Sequence, residues 1–131
     1  MKPVIFGLSG HELTPDERAF FRDADPLGYI LFKRNCGTRA QMRALTDSLR
    51  DLSGRADLPI LIDQEGGRVS RMVPPEWPAF PAGLAFDRLY EVAPISAIEA
   101  ARANGHALAL MLAEVGINVN CAPLLDVRQP D

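Results

Sequence analysis

The stretch that decides the fold is ILIDQEGGRVSR, which runs from Ile60 to Arg71. Three branched apolar residues follow Pro59 and pass without a spacer into acidic, glycine and arginine residues. A short apolar run of this kind is typical of a strand buried on both faces of a parallel sheet. Polar groups directly after such a strand lie at the carboxyl edge of the sheet, where α/β folds place their chemistry. The segment therefore predicts a buried parallel strand that delivers a candidate site.

Asp63 and Arg71 are the candidate binding residues of this segment. A carboxylate at the end of a buried strand needs a partner, and Asp63 with Arg71 provides either an ion pair or a clamp for a polyhydroxylated substrate. Between them, Gly66 and Gly67 allow a positive φ or a close backbone approach to a ligand. The alternative is a charged loop that only caps a buried strand. We favour the binding site.

Composition limits the classes of function. The chain has 131 residues, of which 47% are hydrophobic, enough for one domain with a real core. A formal net charge of −3 provides no electrostatic footprint for nucleic acid or an anionic membrane. No apolar run approaches the about 20 residues of a membrane span, and no signal peptide is recognisable. Cys36 and Cys121 lack a CxxC spacing and fit reduced thiols, so we expect a cytoplasmic protein.

Strand and helix patterns alternate along the chain. Capping boxes are expected at Thr14 to Glu17 and at Thr38 to Gln41. Inward faces are expected from Ala19, Phe20 and Ala24, and from a stripe of Ile98, Ala101, Gly105, Leu108, Leu112 and Val115. The predicted strands span residues 3–8, 28–32, 58–62 and 117–121. The predicted helices between them run from Thr14 to an end at Pro26, from Thr38 to Gly54, and over 94–115, where Gly116 ends the last helix.

The longest segment predicted to be irregular runs from about residue 66 to residue 84. It contains four prolines around Trp77 and Phe80, which excludes an ordinary helix or central strand there. The two aromatic side chains either form a rim that stacks on a sugar or pack onto the sheet, and we favour packing.

Four strands buried on both faces and alternating with helices predict a parallel α/β architecture. A complete (β/α)₈ barrel takes about 250 residues and eight such units, so this chain supplies close to half. The segment 127–131 reads as a connection rather than a capped end. The expectation is a single partial domain over residues 1–131, the N-terminal half of a TIM-type barrel with about four β/α units; the alternative is a small open sheet.

Three segments in this order resemble glycoside hydrolase family 3, in its branch of bacterial cytoplasmic β-N-acetylhexosaminidases of peptidoglycan recycling. They are GYILFKRN at 28–35, IDQEGGRVSR at 62–71 and NVNCAPLLDV at 118–127. The resemblance implies that Asp63 and Arg71 bind hydroxyls of an N-acetylglucosamine ring. It also implies a retaining mechanism whose aspartate nucleophile and histidine acid/base lie beyond Asp131, so no catalytic residue is assigned in this chain.

Other polar residues receive weaker roles. Two carboxyl groups about 5–5.5 Å apart are the signature of retaining glycosidases, and Asp63 and Glu65, two residues apart, point the same way in an extended strand. Because the resemblance places the nucleophile elsewhere, Glu65 and Asp126 are interpreted as structural groups near the site, with Asp126 as a general base the alternative. Arg68 is assigned to a structural ion pair. His11 and His106 lack the spacing of a metal site, so no metal and no cofactor are expected.

Two functions follow. In the first, the intact enzyme removes terminal non-reducing N-acetyl-β-D-glucosamine residues from a muropeptide or an oligosaccharide, and this chain supplies the sugar-binding half of the site. In the second, the chain is a non-catalytic half-barrel that binds sugar or associates with itself through unpaired sheet edges.

Overall fold

Four parallel strands form one sheet in the computed structural model, which describes residues 1–127. The spatial order of the strands equals their chain order, so each crossover connects neighbours. This confirms the parallel α/β prediction. The last four residues of the predicted terminal connection, 128–131, lie outside the described residues. The strands are β1 (Lys2–Gly7), β2 (Pro26–Leu31), β3 (Ile60–Ile62) and β4 (Val119–Asn120).

The central strands carry the core and the outer strands do not. Ile60 and Ile62 of β3 are fully buried, and Tyr29 and Leu31 of β2 nearly so. Side chains of β1 and β4 are exposed or half-buried. The prediction that every strand is buried on both faces was therefore wrong for β1 and β4. Within residues 1–127, each of these strands pairs with a neighbour on one side only. The core is completed by Leu8, Phe21, Met42, Leu45, Leu49, Leu58, Met72, Leu108, Leu112 and Ile117.

The connections contain one helix that the sequence did not predict, Gly83–Val92. This helix begins at Ala82, which has no side chain able to cap it, and none of its residues is buried. The polar N-cap that marks a helix start is thus absent, and the apolar residues at helical spacing, Phe86 and Leu89, are only half-buried. In chain order the α-helices are α1 (Pro15–Ala24), α2 (Arg39–Ser53), α3 (Gly83–Val92) and α4 (Pro94–Glu114), with a 3₁₀ turn at Lys33–Asn35.

The predicted capping box of α1 is confirmed. Thr14 Oγ1 accepts from the Glu17 backbone N–H at 3.1 Å, and Glu17 Oε2 accepts from the Thr14 N–H at 3.0 Å. The box of α2 is only half formed. Thr38 caps the N–H of Gln41 at 3.2 Å, but the Gln41 side chain accepts from Gly37 at 2.8 Å instead of returning to Thr38.

Two inward faces were misplaced. In α1, Phe20 is 52% exposed whereas Phe21 is buried. In α4, Leu108 and its C-terminal neighbours in the stripe are buried, but Ile98 is 51% exposed and Gly105 is exposed, as is Ala101. The N-terminal part of α4 packs against α3, itself without a buried residue. Periodicity therefore identified the apolar face correctly only where the sheet covers it.

Gly116 ends α4 in the left-handed region, as predicted, at φ 79°. A Cβ there would collide with the hydroxyl of Thr46, which is buried and donates to the Val115 carbonyl at 2.8 Å. Gly54 ends α2 at φ 67°, and no atom lies within 4 Å of the place that an added Cβ would occupy.

We expect Gly54→Ala to lower the free energy of unfolding by about 1–2 kcal/mol, which is the penalty of the left-handed conformation alone. Gly116→Ala should cost about 1–3 kcal/mol more, because the collision adds overpacking.

Denaturant unfolding of both variants in the full-length protein measures this difference. Equal losses at the two glycines would show that Thr46 moves aside at no cost, and would contradict the prediction.

Candidate functional site at the carboxyl edge of β3

Asp63 and Arg71 meet at the end of β3. Arg71 Nη2 lies 2.8 Å from Asp63 Oδ2, and the two side chains are 29% and 24% exposed. The predicted pairing is therefore present, and the pair is partly open to solvent. Neither group is buried completely, so both can still exchange water for the hydroxyl groups of a ligand.

A tight turn returns the chain from Asp63 to Arg71. The backbone N–H groups of Glu65 and Gly66 donate to the Val69 carbonyl at 3.0 and 3.3 Å. Gly66 and Gly67 have φ values of 100° and 60°. The predicted positive φ is therefore confirmed at both glycines, whereas a close approach to a ligand stays a prediction. The Gly67 N–H donates to the Phe80 carbonyl at 2.8 Å.

The Gln64 side chain holds the far end of this turn by hydrogen bonds, although the sequence analysis assigned this residue no role. Its side chain is buried, and its Oε1 accepts from the N–H groups of Arg71 at 2.8 Å and Met72 at 3.0 Å. Its Nε2 donates to the Met72 carbonyl at 2.9 Å. A signal was available: Gln64 continues the alternation of Ile60 and Ile62, which predicts a core-facing amide that must find partners.

Two asparagine side chains, one in β4 and one directly before it, form hydrogen bonds with the backbone at both ends of β3. Asn120 accepts from the Gln64 N–H at 3.0 Å and donates to the Gln64 carbonyl at 2.8 Å. Asn118 accepts from the Ile60 N–H at 2.8 Å and donates to the Leu58 carbonyl at 3.0 Å. The backbone on either side of Asp63 is thereby fixed before any ligand arrives.

Both cysteines, which are free, lie beside this pair. Burial raises the pKa of the Cys121 thiol, and a hydrogen bond with Asp63 and the charge of that carboxylate raise it further. Burial also raises the pKa of Cys36 to about 11, against the opposing charge of Arg71. Both thiols are protonated at neutral pH, so they add no negative charge beside Asp63.

The remaining site residues lie nearby or apart. Glu65 is half-buried within the turn, and Asp126 lies exposed on the extended segment after β4. Their interpretation as groups near the site stays a prediction. Arg68 is exposed and forms no ion pair within residues 1–127, so its assignment to a structural ion pair was wrong. The physical reason is its place in the turn, directly after Gly67, where its side chain remains in solvent.

The aromatic residues of the proline-rich segment pack inward. Trp77 is 3% exposed, and Phe80 is half-buried against the same core. The packing interpretation is confirmed.

Lys33 and Arg34 follow β2 in the 3₁₀ turn, where Arg34 donates to the Leu8 carbonyl at 2.7 Å and stacks over Phe32.

The described part of the chain has neither a metal-binding cluster nor a membrane-spanning helix. Within residues 1–127 no three side chains of histidine, cysteine, aspartate or glutamate are arranged to bind a metal ion. His11 and His106 are exposed. None of the helices in this part of the chain combines the length and the apolar character needed to cross a membrane.

Relatives of known name cover nearly all of this chain. It is 38% identical over 127 residues to a protein named Beta-hexosaminidase from Aromatoleum aromaticum, covering 95% of this chain and 35% of that protein. A Beta-hexosaminidase from Photobacterium profundum is 35% identical, with coverages of 97% and 36%. The chain therefore spans about a third of the length of these relatives.

Solved structures give the same result. NagZ from Neisseria gonorrhoeae in complex with N-trifluoroacetyl-D-glucosamine superposes with a TM-score of 0.89 at 31% identity, covering 95% of this chain and 37% of that one. A glycoside hydrolase family 3 β-N-acetylglucosaminidase from Paenibacillus superposes at 0.74 and 30% identity, with coverages of 94% and 23%. The sheet thus matches the N-terminal part of a TIM-type barrel. Since residues 14–131 also match the family described as the glycosyl hydrolase family 3 N terminal domain, the chain belongs to that family.

Proposed function

We propose that the full-length protein is a cytoplasmic β-N-acetylhexosaminidase that removes terminal non-reducing N-acetyl-β-D-glucosamine residues during peptidoglycan recycling. In this proposal the chain provides the sugar-binding half of the site. The observation that carries it is the partly exposed Asp63–Arg71 pair at the carboxyl edge of β3. Support comes from relatives named Beta-hexosaminidase and from the Neisseria structure, whose ligand is an N-acylated glucosamine.

The pair suits a sugar ring because its hydrogen-bonding capacity is only partly used. A carboxylate has about four acceptor sites; at Asp63 the ion pair with Arg71 takes one at Oδ2, and the Cys121 thiol takes another. Arg71 has five N–H donors and spends one, from Nη2, on that pair. Adjacent ring hydroxyls act as donor and acceptor at once. Asp63 can therefore accept from a hydroxyl group while Arg71 donates to the same ring.

Bond cleavage belongs to residues outside this chain in our proposal, in keeping with the family resemblance. The part played by this chain is to bind and orient the ring so that its anomeric carbon meets the catalytic groups. Orientation of this kind accounts for a large share of enzymatic rate enhancement. Glu65 and Asp126 line the approach to the same edge and take no part in bond cleavage.

Hydrolysis of an aryl N-acetyl-β-D-glucosaminide by the purified full-length protein tests the proposal. We expect turnover of this substrate and far slower turnover of the matching β-glucoside, which lacks the acetamido group. Binding of N-acetylglucosamine without any turnover would instead support the second function, a non-catalytic sugar-binding protein.

A further inference from the structure

We propose that Gln64 is the positioning residue of this site: its buried amide fixes the backbone at Arg71 and Met72, and thereby sets the Arg71 guanidinium against Asp63. The inference rests on the proposed function for its kinetic consequences. Its structural content, the placement of Arg71, does not depend on that function.

The amide of Gln64 is buried and well satisfied. Gln64 is 1% exposed. Both acceptor sites of Oε1 are filled, by Arg71 N–H at 2.8 Å and Met72 N–H at 3.0 Å, and Nε2 donates to the Met72 carbonyl at 2.9 Å. The main chain of Gln64 is tied to β4 by two bonds with the Asn120 amide, one donated by the Gln64 N–H and one accepted by the Gln64 carbonyl. Gln64 is therefore a rigid link from the sheet to the returning strand of the turn.

Arg71 depends on this link because its guanidinium must reach back over eight residues to Asp63. The intervening turn is closed at Val69 by backbone bonds, but Arg71 lies beyond that closure. Within residues 1–127, the Gln64 amide is the hydrogen-bond partner of the Arg71 and Met72 N–H groups. Loss of the amide would leave these N–H groups without a partner, so the backbone would move to recover hydrogen bonds.

Gln64→Met tests this role because methionine matches glutamine in length but offers no strong acceptor to the Arg71 and Met72 N–H groups and no donor to the Met72 carbonyl. Gln64→Glu keeps both acceptor sites, and its carboxylate loses only the donor to the Met72 carbonyl. We expect kcat/KM for an N-acetylglucosaminide to fall about tenfold in Gln64→Met relative to wild type, and by less in Gln64→Glu.

Gln41 offers a matched control. Its amide also makes three bonds, accepting from Gly37 at 2.8 Å and donating to the carbonyls of His11 at 2.8 Å and Asn35 at 3.2 Å, but it does so in the connection after β2. Gln41→Met and Gln41→Glu make the same two changes there. We expect kcat/KM of both variants to stay within about twofold of wild type, whatever they cost in stability, because the Gln41 amide bonds to Gly37, His11 and Asn35 and not to Asp63, Arg71 or the turn between them.

Two readouts in the full-length protein separate the possible failures. If the wild type hydrolyses the substrate and Gln64→Met folds with an unchanged kcat/KM, the positioning role is wrong and the proposed function stands. If the wild type does not hydrolyse it, the proposed function fails. The positioning role is then tested by NMR of the Arg71 guanidinium in ligand-free protein, where the Gln64→Met spectrum should differ from that of the wild type. An unchanged spectrum would overturn the inference.

Discussion

Replacement of Asp63 by alanine in the full-length protein is expected to lower kcat/KM for N-acetylglucosaminides by at least about tenfold, with the fold intact. Each charge-assisted hydrogen bond from a ring hydroxyl to this carboxylate is worth about 1.5–3 kcal/mol, or roughly ten- to more than a hundredfold. The cost to folding should lie between the about 0–1 kcal/mol of an exposed ion pair and the about 3–5 kcal/mol of one partner removed from a buried pair, since the two side chains are 24–29% exposed.

Arg68→Ala is the matched control for this variant. Arg68 lies on the same turn and is exposed, with no ion pair in the described part of the chain, so its loss should change kcat/KM by less than about twofold. Steady-state kinetics on both variants, with thermal unfolding as the check on folding, decide the matter. A normal kcat/KM for Asp63→Ala would remove Asp63 from the site.

The sequence predicted this pair because residue type and position carried the information together. An apolar run ending in Asp63 marks a strand end, and Arg71 is within reach only if the chain reverses, which Gly66 and Gly67 permit. Gln64 was missed for the opposite reason. A glutamine at a strand end has no single characteristic function, and its role emerges only when the returning backbone of Arg71 and Met72 is in place beside it.

Burial was predicted well in the interior and poorly at the margins. Leu108 and Leu112 face the core as their helical spacing requires, whereas Ile98, on the same predicted stripe, is 51% exposed. Spacing fixes the direction of a side chain relative to its helix, but burial also requires a neighbouring element. The same limit applies to β1 and β4, whose residue types match those of buried strands although each pairs on one side only within residues 1–127.

Among substitutions that add a single methyl group at the site, Gly66→Ala is expected to be the most damaging. Gly66 has a φ of 100°, which L side chains rarely adopt, and a Cβ there would collide with the main-chain carbonyl oxygen of Pro81. A backbone atom cannot swing aside as a flexible side chain can, so the turn itself must shift. We expect a loss of about 1–3 kcal/mol in the free energy of unfolding from backbone strain alone. Because the turn carries Arg71 back to Asp63, we also expect kcat/KM to fall about ten- to a hundredfold, the scale associated with a displacement of about 1 Å.

Gly83→Ala is the control that removes the general effect of a glycine substitution. Gly83 is the first residue of α3, has ordinary backbone angles, and has no atom within 4 Å of its Cβ position. Alanine there restricts the unfolded chain without strain, which should stabilise the protein by about 0.4–1 kcal/mol. The two substitutions add the same methyl group to the same protein and should change stability in opposite directions. If Gly66→Ala were as stable and as active as wild type, the turn would not be what places Arg71 beside Asp63, and the pair would have to be maintained from the Gln64 side alone.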